Sequence, residues 1–324
     1  MTLSFKRALQ ALLLGAALPL ATLAHAEWPT DNIRLVVPYA PGGTTDILSR
    51  KVADMLQKEL GTVVVENRPG AGSTMATAQL ARGGRGADHT IVMASPGHTI
   101  GPMIYKSLPY DPVKDFRFIR NVIEIPNVMV VPADSPYDSV GEFIEAAKNK
   151  EMTFSSAGVG SSIHMSGELF KTLTGTNMTH VPFRGSGEAL PALLSGDVDV
   201  SFENLPTVLP HIQSGKLKAL AVTSKEASPF LPGVEPISTI AADQGLGDFA
   251  TTAWFGVIAD DSMPDEAVQK LQAALDKIVA DPQFLTFIEQ FGGEPAEQAG
   301  DAFRQYVADD VQRWSRVAGA AQLD

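Results

Sequence analysis

The chain has 324 residues, of which 44% are hydrophobic and 19% are charged. This composition supplies buried cores for about two domains and excludes global disorder. With 25 Lys and Arg against 37 Asp and Glu, the formal net charge is −12. That balance disfavours nucleic acid as a partner, because phosphate binding needs clustered cations. The absence of cysteine excludes disulfides, thiolate metal sites and a cysteine nucleophile.

Residues 1–26 have the pattern of an export signal. Lys6 and Arg7 precede an uncharged stretch that is short for a bilayer span, and residues 24–26 form an A-x-A cleavage pattern. An N-terminal membrane anchor is the alternative. We expect a signal peptide at 1–26 and a mature protein in the periplasm of a Gram-negative type cell.

Continuous apolar runs alternate along the chain with segments of helical periodicity. Strands are predicted at 33–39, 62–67, 90–95, 128–132, 152–157, 198–203, 217–223 and 253–259, and helices at 45–60, 139–148, 163–173, 186–195, 264–280 and 301–317. The repeated β-α-β spacing favours parallel sheets with helices on both faces.

Two stretches rich in turn residues, 107–119 and 224–239, indicate that the chain passes twice between two sheets. We therefore predict lobe 1 at 27–123, lobe 2 at 124–230 and a return to lobe 1 over 231–324, with a hinge at the crossings. The periodicity leaves open which lobe the C-terminal helix packs on, and lobe 2 is one option. A single large sheet with two surface insertions is the alternative architecture.

Five glycine-bearing turns are the richest chemical feature. They span residues 40–46, 67–74, 95–99, 155–162 and 183–187. Such turns place backbone N–H groups, hydroxyls and a helix N-terminus at the carboxyl edge of a parallel sheet, where open α/β folds bind ligands. One exposed helix N-terminus is worth only about 0.3–1 kcal/mol toward an anion. Convergence of several of these turns therefore predicts a site for a carboxylate.

Several of these residues have a second interpretation. Thr44 can cap a helix and Asp46 can stabilise its first turn, while His164 equally fits a packed or capping residue. Arg184, at a glycine turn, is a candidate anchor for an anion. The chain contains no G-x-S-x-G, H-E-x-x-H or P-loop motif, and its histidines lack metal-ligand spacing. We predict no catalytic residue, no metal site and no cofactor.

Longer motifs carry a resemblance to one family. They are VVPYAPGGTTDILSR (36–50), VENRPGAGS (65–73), SSAGVGSSIHMSGELF (155–170) and HVPFRGSGEALPALLSGDVDV (180–200). In these segments the chain resembles the substrate-binding proteins of tripartite tricarboxylate transporters, also called the Bug or TctC-like family. The resemblance implies an α/β, two-domain periplasmic-binding-protein fold of type II-like architecture, with two mainly parallel sheets flanked by helices and a ligand cleft between them.

The resemblance also implies a monomer that closes on a small organic acid and delivers it to one large and one small membrane subunit. The acid is a di- or tricarboxylate, an aromatic acid or an acidic amino acid. The turns of the family that hold the ligand correspond here to Tyr39, Gly42, Gly43, Thr44, Asp46, Gly158, Ser161, Ser162, His164, Arg184 and Gly185. Ser95, from the third turn, completes the predicted ligand-binding set.

Departures from the family pattern leave the ligand open. Thr44 and Thr45 occupy positions that are often Gly or Ser, and Asp88-His89-Thr90 stands where Asp-Gly-Tyr-Thr is typical. The alternatives are a binding protein for another transport class, such as an ABC-type importer, a sensor that presents a ligand to a receptor, and a secreted enzyme.

Overall fold

The computed structural model describes residues 27–320, so the predicted export signal lies outside the described residues. The strands are β1 (Ile33–Val37), β2 (Val63–Asn67), β3 (Thr90–Ala94), β4 (Phe116–Pro132), β5 (Met152–Ser156), β6 (Met178–Pro182), β7 (Val200–Asn204), β8 (Leu217–Val222), β9 (Thr252–Asp260) and β10 (Glu294–Pro295). The helices are α1 (Thr44–Leu60), α2 (Thr74–Ala81), α3 (Pro96–Ile104), α4 (Val140–Asn149), α5 (Ser162–Thr174), α6 (Ser186–Leu194), α7 (Leu205–Gln213), α8 (Ile237–Ile240), α9 (Asp265–Ala280), α10 (Pro282–Phe291) and α11 (Gly300–Ala320). None of the helices in this range is long and apolar enough to cross a membrane.

The long strand β4 belongs to two groups of strands. The order along the sheet is β2-β1-β3-β9-β4-β7-β5-β6, and β8 and β10 also pair with β4. Residues 116–126 of β4 pair with β9, whereas residues 127–132 pair with β7 and β8. We call the part built on β1–β3, β9, β10 and the first half of β4 lobe 1. The part built on the second half of β4 and β5–β8 is lobe 2.

The α/β fold class is confirmed, but the strand pairing is mixed rather than mainly parallel. The outer strands are parallel, since β1 pairs with both β2 and β3, and β5 with both β6 and β7. Every pairing that involves β4 or β9 is antiparallel. The sheets share β4, which begins at Phe116 inside the predicted excursion at 107–119, whereas the predicted strand begins only at residue 128.

Helices cover both faces of each lobe, as the β-α-β spacing predicts. In lobe 1, Leu48 and Val52 of α1 share a buried cluster with Leu271 and Leu275 of α9. Separate clusters fill the other face of lobe 1 and the two faces of lobe 2. Burial of these apolar faces is the main source of stability, at roughly 25 cal/mol for each Å² removed from water.

Hydrogen bonds among threonine and asparagine hold the strand crossings between the lobes. Thr223 N–H donates to the Asn127 carbonyl oxygen at 2.9 Å, and Thr251 N–H donates to the Thr223 carbonyl oxygen at 3.0 Å. The lobe limits at 123, 230 and 231 remain a prediction. The core contacts favour a later return to lobe 1, because Leu246 and Phe249 pack in a lobe 2 cluster.

The C-terminal helix α11 contacts both lobes. Phe303 and Val307 pack into the core of lobe 1. About two turns further on, Trp314 is only 1% exposed and packs with Ile100 of α3 and Met165 of α5. Helix α11 therefore bridges the lobes beside the start of α5.

Seven elements fall outside the predicted segments: β6, β10, α2, α3, α7, α8 and α10. Helices α3, α7 and α10 have proline in their first turn, and the first two also contain an internal proline, Pro102 and Pro210. Proline fits the first helical turn, because the N–H that it lacks has no partner inside the helix there. In the sequence alone, however, a proline is typical of a loop, so these helices were not predicted.

Candidate functional site

A small cavity of about 20 Å³ lies between the lobes. Lobe 1 supplies the turn after β1, the beginning of α3 and one side chain of β9. Lobe 2 supplies the beginnings of α5 and α6 and the end of β7. The lining residues are Tyr39, Ala40, Gly43, Thr44, Thr45, Asp46, Ser95, Pro96, Ala157, Ser161, Ser162, Ile163, Ser186, Asn204 and Phe255.

Five helices begin at this cavity. Thr44, Pro96, Ser162 and Ser186 are the first residues of α1, α3, α5 and α6, and Asn204 is the N-cap of α7. The first N–H groups of a helix lack partners inside the helix and form the positive end of its dipole. Because these ends come from both lobes, the cavity is suited to a small anion.

The described wall of the cavity carries no formal positive charge. Among the described lining residues there is no lysine or arginine, and Asp46 is the one charged side chain. The field at the cavity therefore comes from backbone dipoles and hydroxyl groups. This explains how a chain with a net charge of −12 can present a local anion site.

Asp46 holds the turn that precedes α1. Its carboxylate accepts the Gly42 N–H at 3.0 Å and the Asn67 amide at 2.8 Å, and it pairs with Arg50 at 2.9 Å. Burial by itself raises the pKa of Asp46, but the hydrogen bonds from Arg50, Gly42 and Asn67 and the Arg50 charge outweigh burial and lower that pKa below its ordinary value. The carboxylate is therefore ionised and already engaged, so its structure favours the helix-bracing interpretation.

Tyr39 and Ser95 form a buried hydroxyl pair on the lobe 1 wall. The Tyr39 hydroxyl lies 3.1 Å from Ser95 Oγ and 3.4 Å from the Gly72 carbonyl oxygen. Burial raises the pKa of Tyr39, so the phenol stays neutral and keeps its proton. The Gly72 carbonyl oxygen can only accept, so the Tyr39 proton is directed at it and the Ser95 proton at Tyr39. Either hydroxyl can donate to a ligand only by exchanging one of these bonds for the new one.

Ser161 caps α5 and leaves its own proton free for the cavity. Its Oγ accepts the His164 N–H at 3.2 Å, an ordinary N-cap arrangement. A serine that accepts at a cap still has a hydroxyl proton to donate. Ser162 follows at the first position of the helix and also lines the cavity.

His164 points into lobe 2 and not into the cavity. Its ring centroid lies 4.1 Å from that of His180, and its Nδ1 accepts the Gly160 N–H at 3.3 Å. Burial lowers the pKa of His164 to about 4. His164 does not line this cavity, and its position fits the packed interpretation; its role in ligand binding stays a prediction.

Hydrogen bonds below the second-lobe turn fix its shape. His180 Nε2 lies 2.6 Å from Ser156 Oγ, which also accepts the Gly158 N–H at 3.0 Å. Burial lowers the pKa of His180 to about 3, so this ring is neutral. The pair of neutral histidines thus supports the turn that carries Ser161 without adding charge beneath it.

The lobes touch each other beside the cavity. The Ala40 N–H donates to the Arg184 carbonyl oxygen at 3.0 Å, and Thr44 Oγ1 lies 2.9 Å from Thr207 Oγ1. A Cβ atom built on Gly187 would lie 2.1 Å from the Pro41 carbonyl oxygen. Glycine is therefore required for this close approach of the two backbones.

The Arg184 side chain lies outside the cavity. It is 74% exposed and pairs with Glu188 at 2.7 Å, one helical turn further on. Arg184 lines a neighbouring open cavity, together with Gly158. The structure therefore does not bring this guanidinium to the five helix ends.

Seven of the twelve predicted residues line the cavity: Tyr39, Gly43, Thr44, Asp46, Ser95, Ser161 and Ser162. Five do not: Gly42, Gly158, His164, Arg184 and Gly185. Gly42 and Gly185 belong instead to the touching loops. Thr45, Ser186, Asn204 and Phe255 also line the cavity and are not among the predicted residues. An asparagine at the end of a strand and next to Leu205-Pro206 was the available signal for Asn204, because that pattern is typical of a helix start.

The described residues contain no group of three or more His, Asp and Glu side chains placed to hold a metal ion.

Comparison with known proteins gives the family. Residues 48–323 match the family described as tripartite tricarboxylate transporter family receptor, TctC. The chain belongs to the TctC family. Protein BugT of Bordetella pertussis is 32% identical over 302 residues, which cover 92% of this chain and 91% of BugT. This family assignment makes the chain a solute-binding protein.

Solved structures of TctC-like proteins share the fold over nearly the whole chain. A Rhodopseudomonas palustris protein solved with adipate is 31% identical, with a TM-score of 0.85, and the match covers 91% of this chain and 99% of that protein. MatC from the same organism, solved with bound malate, is 30% identical with a TM-score of 0.82 and coverages of 90% and 99%.

Proposed function

We propose that this TctC-family protein captures a small organic carboxylate in the cavity between its lobes, in the periplasm, and delivers it to a two-subunit membrane permease without changing it chemically. The observation that carries the proposal is the convergence of five helix N-termini on one cavity. A partly buried helix end can contribute up to ~2 kcal/mol toward an anion. Ends from both lobes acting on one carboxylate favour the closed form.

The two related structures support the chemical class of the ligand. One was solved with adipate and the other with malate, and both are small dicarboxylates. Neither identifies the acid that this chain binds. They do agree with a cavity whose wall presents backbone and hydroxyl donors.

Contact with the acid is assigned to the donors that face the cavity. We propose that these are the hydroxyls of Tyr39, Ser95, Ser161 and Ser162 and the first N–H groups of α1 and α5. Asp46 and Gly42 act on the ligand indirectly, because they fix the turn before α1. Gly158, Gly185 and the Arg184 carbonyl shape the contact between the lobes.

Thermal shift and calorimetry with di- and tricarboxylates, aromatic acids and acidic amino acids test the proposal. We expect at least one acid to raise the melting temperature and to bind with a stoichiometry of one. Mass spectrometry of protein purified from its host under native conditions is expected to find that acid bound. Absence of any stabilising organic acid would contradict the ligand class.

Delivery and location need a separate experiment in cells. We expect the mature chain in the periplasmic fraction. Uptake of the bound acid should require both this protein and the large and small permease subunits. Uptake that continues when the permease is deleted would contradict the delivery step while leaving the binding function intact.

A further inference from the structure

One wall of the cavity presents hydrogen-bond acceptors, in contrast to the donors around it. Ser186, the first residue of α6, lines the cavity, and its hydroxyl donates to Glu203 Oε1 at 2.6 Å. A serine hydroxyl has one proton and two lone pairs. Because that proton is directed at Glu203, the remaining lone pairs of Ser186 Oγ are what a ligand can use.

The direction of this hydrogen bond is fixed by a second contact. The same Oε1 atom of Glu203 also accepts the Asn204 backbone N–H at 2.8 Å. A backbone N–H can only donate, so a proton on the Glu203 carboxyl would reside on Oε2. Burial raises the pKa of Glu203 to about 7, but Oε1 remains an acceptor in both protonation states, and Ser186 remains the donor to it.

Asn204 supplies a second acceptor. Asn204 lines the cavity and is only 7% exposed, and its buried Oδ1 atom has no hydrogen-bond partner among the described residues. A buried carbonyl oxygen without a partner is unfavourable, so a donor brought by a ligand would stabilise the complex.

Acceptors beside an anion site define a class of ligand. We propose that the cavity selects a carboxylate that also carries a hydroxyl group, a hydroxycarboxylate, with Ser186 Oγ and Asn204 Oδ1 accepting from the ligand hydroxyl. The inference rests on the proposed carboxylate-binding function. It assigns Ser186 and Asn204 as specificity-determining residues and Glu203 as the residue that orients Ser186.

An ammonium group fits this wall less well than a hydroxyl. The one carboxylate in the described lining, Asp46, is already paired with Arg50 and accepts the Gly42 N–H. Five helix N-termini give the cavity a positive potential, which disfavours a cation. A neutral hydroxyl satisfies the two acceptors without bringing a second charge.

The test compares acids that differ by a single hydroxyl group. The pairs are malate and succinate, 2-hydroxyglutarate and glutarate, 2-hydroxyadipate and adipate, and mandelate and phenylacetate, with both enantiomers of each hydroxy acid. In every pair that binds, calorimetry on the mature protein is expected to show about tenfold or tighter binding of one hydroxy enantiomer, because the plain acid leaves the acceptors unpaired.

Variants then assign the preference to residues. Ser186→Ala is expected to lower the affinity for the hydroxy acid about tenfold and to change the affinity for the plain acid less than threefold. Ser162→Ala is the matched control, since this cavity hydroxyl is expected to affect both members of a pair equally. The wild-type comparison alone decides the inference if Ser186→Ala does not fold.

Equal or tighter binding of the plain acids overturns the inference and leaves carboxylate binding intact. If Ser186→Ala loses affinity equally for the hydroxy acid and the plain acid, the specificity role of Ser186 is overturned. If no member of any pair binds, and no acid in the wider panel stabilises the protein, both the proposed function and this inference are overturned.

Discussion

Thr44 Oγ1 in lobe 1 lies 2.9 Å from Thr207 Oγ1 in lobe 2, and both side chains are buried. This hydroxyl pair ties the first turn of α1 to the first turn of α7 and exists only while the lobes are together. Thr44→Val or Thr207→Val would leave the other hydroxyl buried without its partner, at a cost of about 1–3 kcal/mol. We expect each single variant to weaken ligand binding by about 5- to 150-fold.

A double-mutant cycle by calorimetry checks this coupling. The variant with both substitutions is expected to bind more tightly than the worse single variant, because it buries no unpaired hydroxyl. Independent, additive losses would show that the hydroxyl pair does not stabilise the closed form.

Gly187 controls how closely the lobes can approach. In Gly187→Ala the new Cβ atom would lie 2.1 Å from the Pro41 carbonyl oxygen in the opposite lobe. Gly187 has no positive φ, so the clash between lobes is the source of the effect. We expect at least tenfold weaker ligand binding and a larger radius of gyration by small-angle X-ray scattering.

Gly247→Ala is the matched control for this change. The nearest atom to its Cβ would be 3.8 Å away, within lobe 2, and Gly247 also lacks a positive φ. It should bind like the wild type. If Gly187→Ala also closes and binds normally, the backbone contact between 41 and 187 does not limit closure.

Arg184 contributes through its backbone, and its guanidinium should be dispensable for binding. The side chain is 74% exposed and pairs with Glu188 at the surface, whereas its carbonyl oxygen accepts the Ala40 N–H. Surface ion pairs contribute little to stability. We expect Arg184→Ala to change ligand affinity less than twofold, as measured by calorimetry, and Glu188→Ala to behave in the same way. A tenfold loss in Arg184→Ala alone would place the guanidinium on the ligand.

The buried histidines should make stability depend on pH. Burial lowers the pKa of His98 and His164 to about 4 and that of His180 to about 3. In the unfolded chain a histidine titrates near 6.5, so below that pH the unfolded state binds more protons. The contribution of these neutral histidines to the free energy of unfolding is therefore fully present above about pH 6.5 and is lost as the pH falls toward 4.

Urea unfolding between pH 7.5 and 4.5 measures this loss. Each neutral buried histidine should add a slope of about 1.4 kcal/mol per pH unit below 6.5. His164→Phe keeps a ring beside His180 and should reduce the slope by the contribution of one histidine. Parallel curves for the variant and the wild type would show that His164 is protonated in the folded protein.

The pattern of strands and helices was largely predictable from local sequence. Eight of the strands and six of the helices overlap the predicted segments, because apolar periodicity is set by which faces each element buries. Helices α3 and α7 were not predicted, since their prolines resemble loop signals in a short window. The extent of β4 was missed because Arg117, Arg120 and Glu124 interrupt its apolar run.

The candidate site was only half predictable. Tyr39, Gly43, Ser95, Ser161 and Ser162 belong to turns whose glycines and hydroxyls indicate a helix start after a strand, and they line the cavity. Arg184 and His164 come from the same turns but do not line the cavity. A sequence does not show whether a side chain next to a turn points into a cleft, into a core or toward solvent.

The sequence by itself determined the family, the α/β class and the glycine turns at which helices begin, because these depend on residues close together in the chain. The tertiary structure decided which helix ends meet, since residues near 44, 96, 162, 186 and 204 come together only through pairing with β4 and β9. It also decided the direction of the Ser186 hydroxyl, because Glu203 is buried beside it across 17 residues of chain. Hydrogen-bond direction at a site depends on the partners that folding supplies.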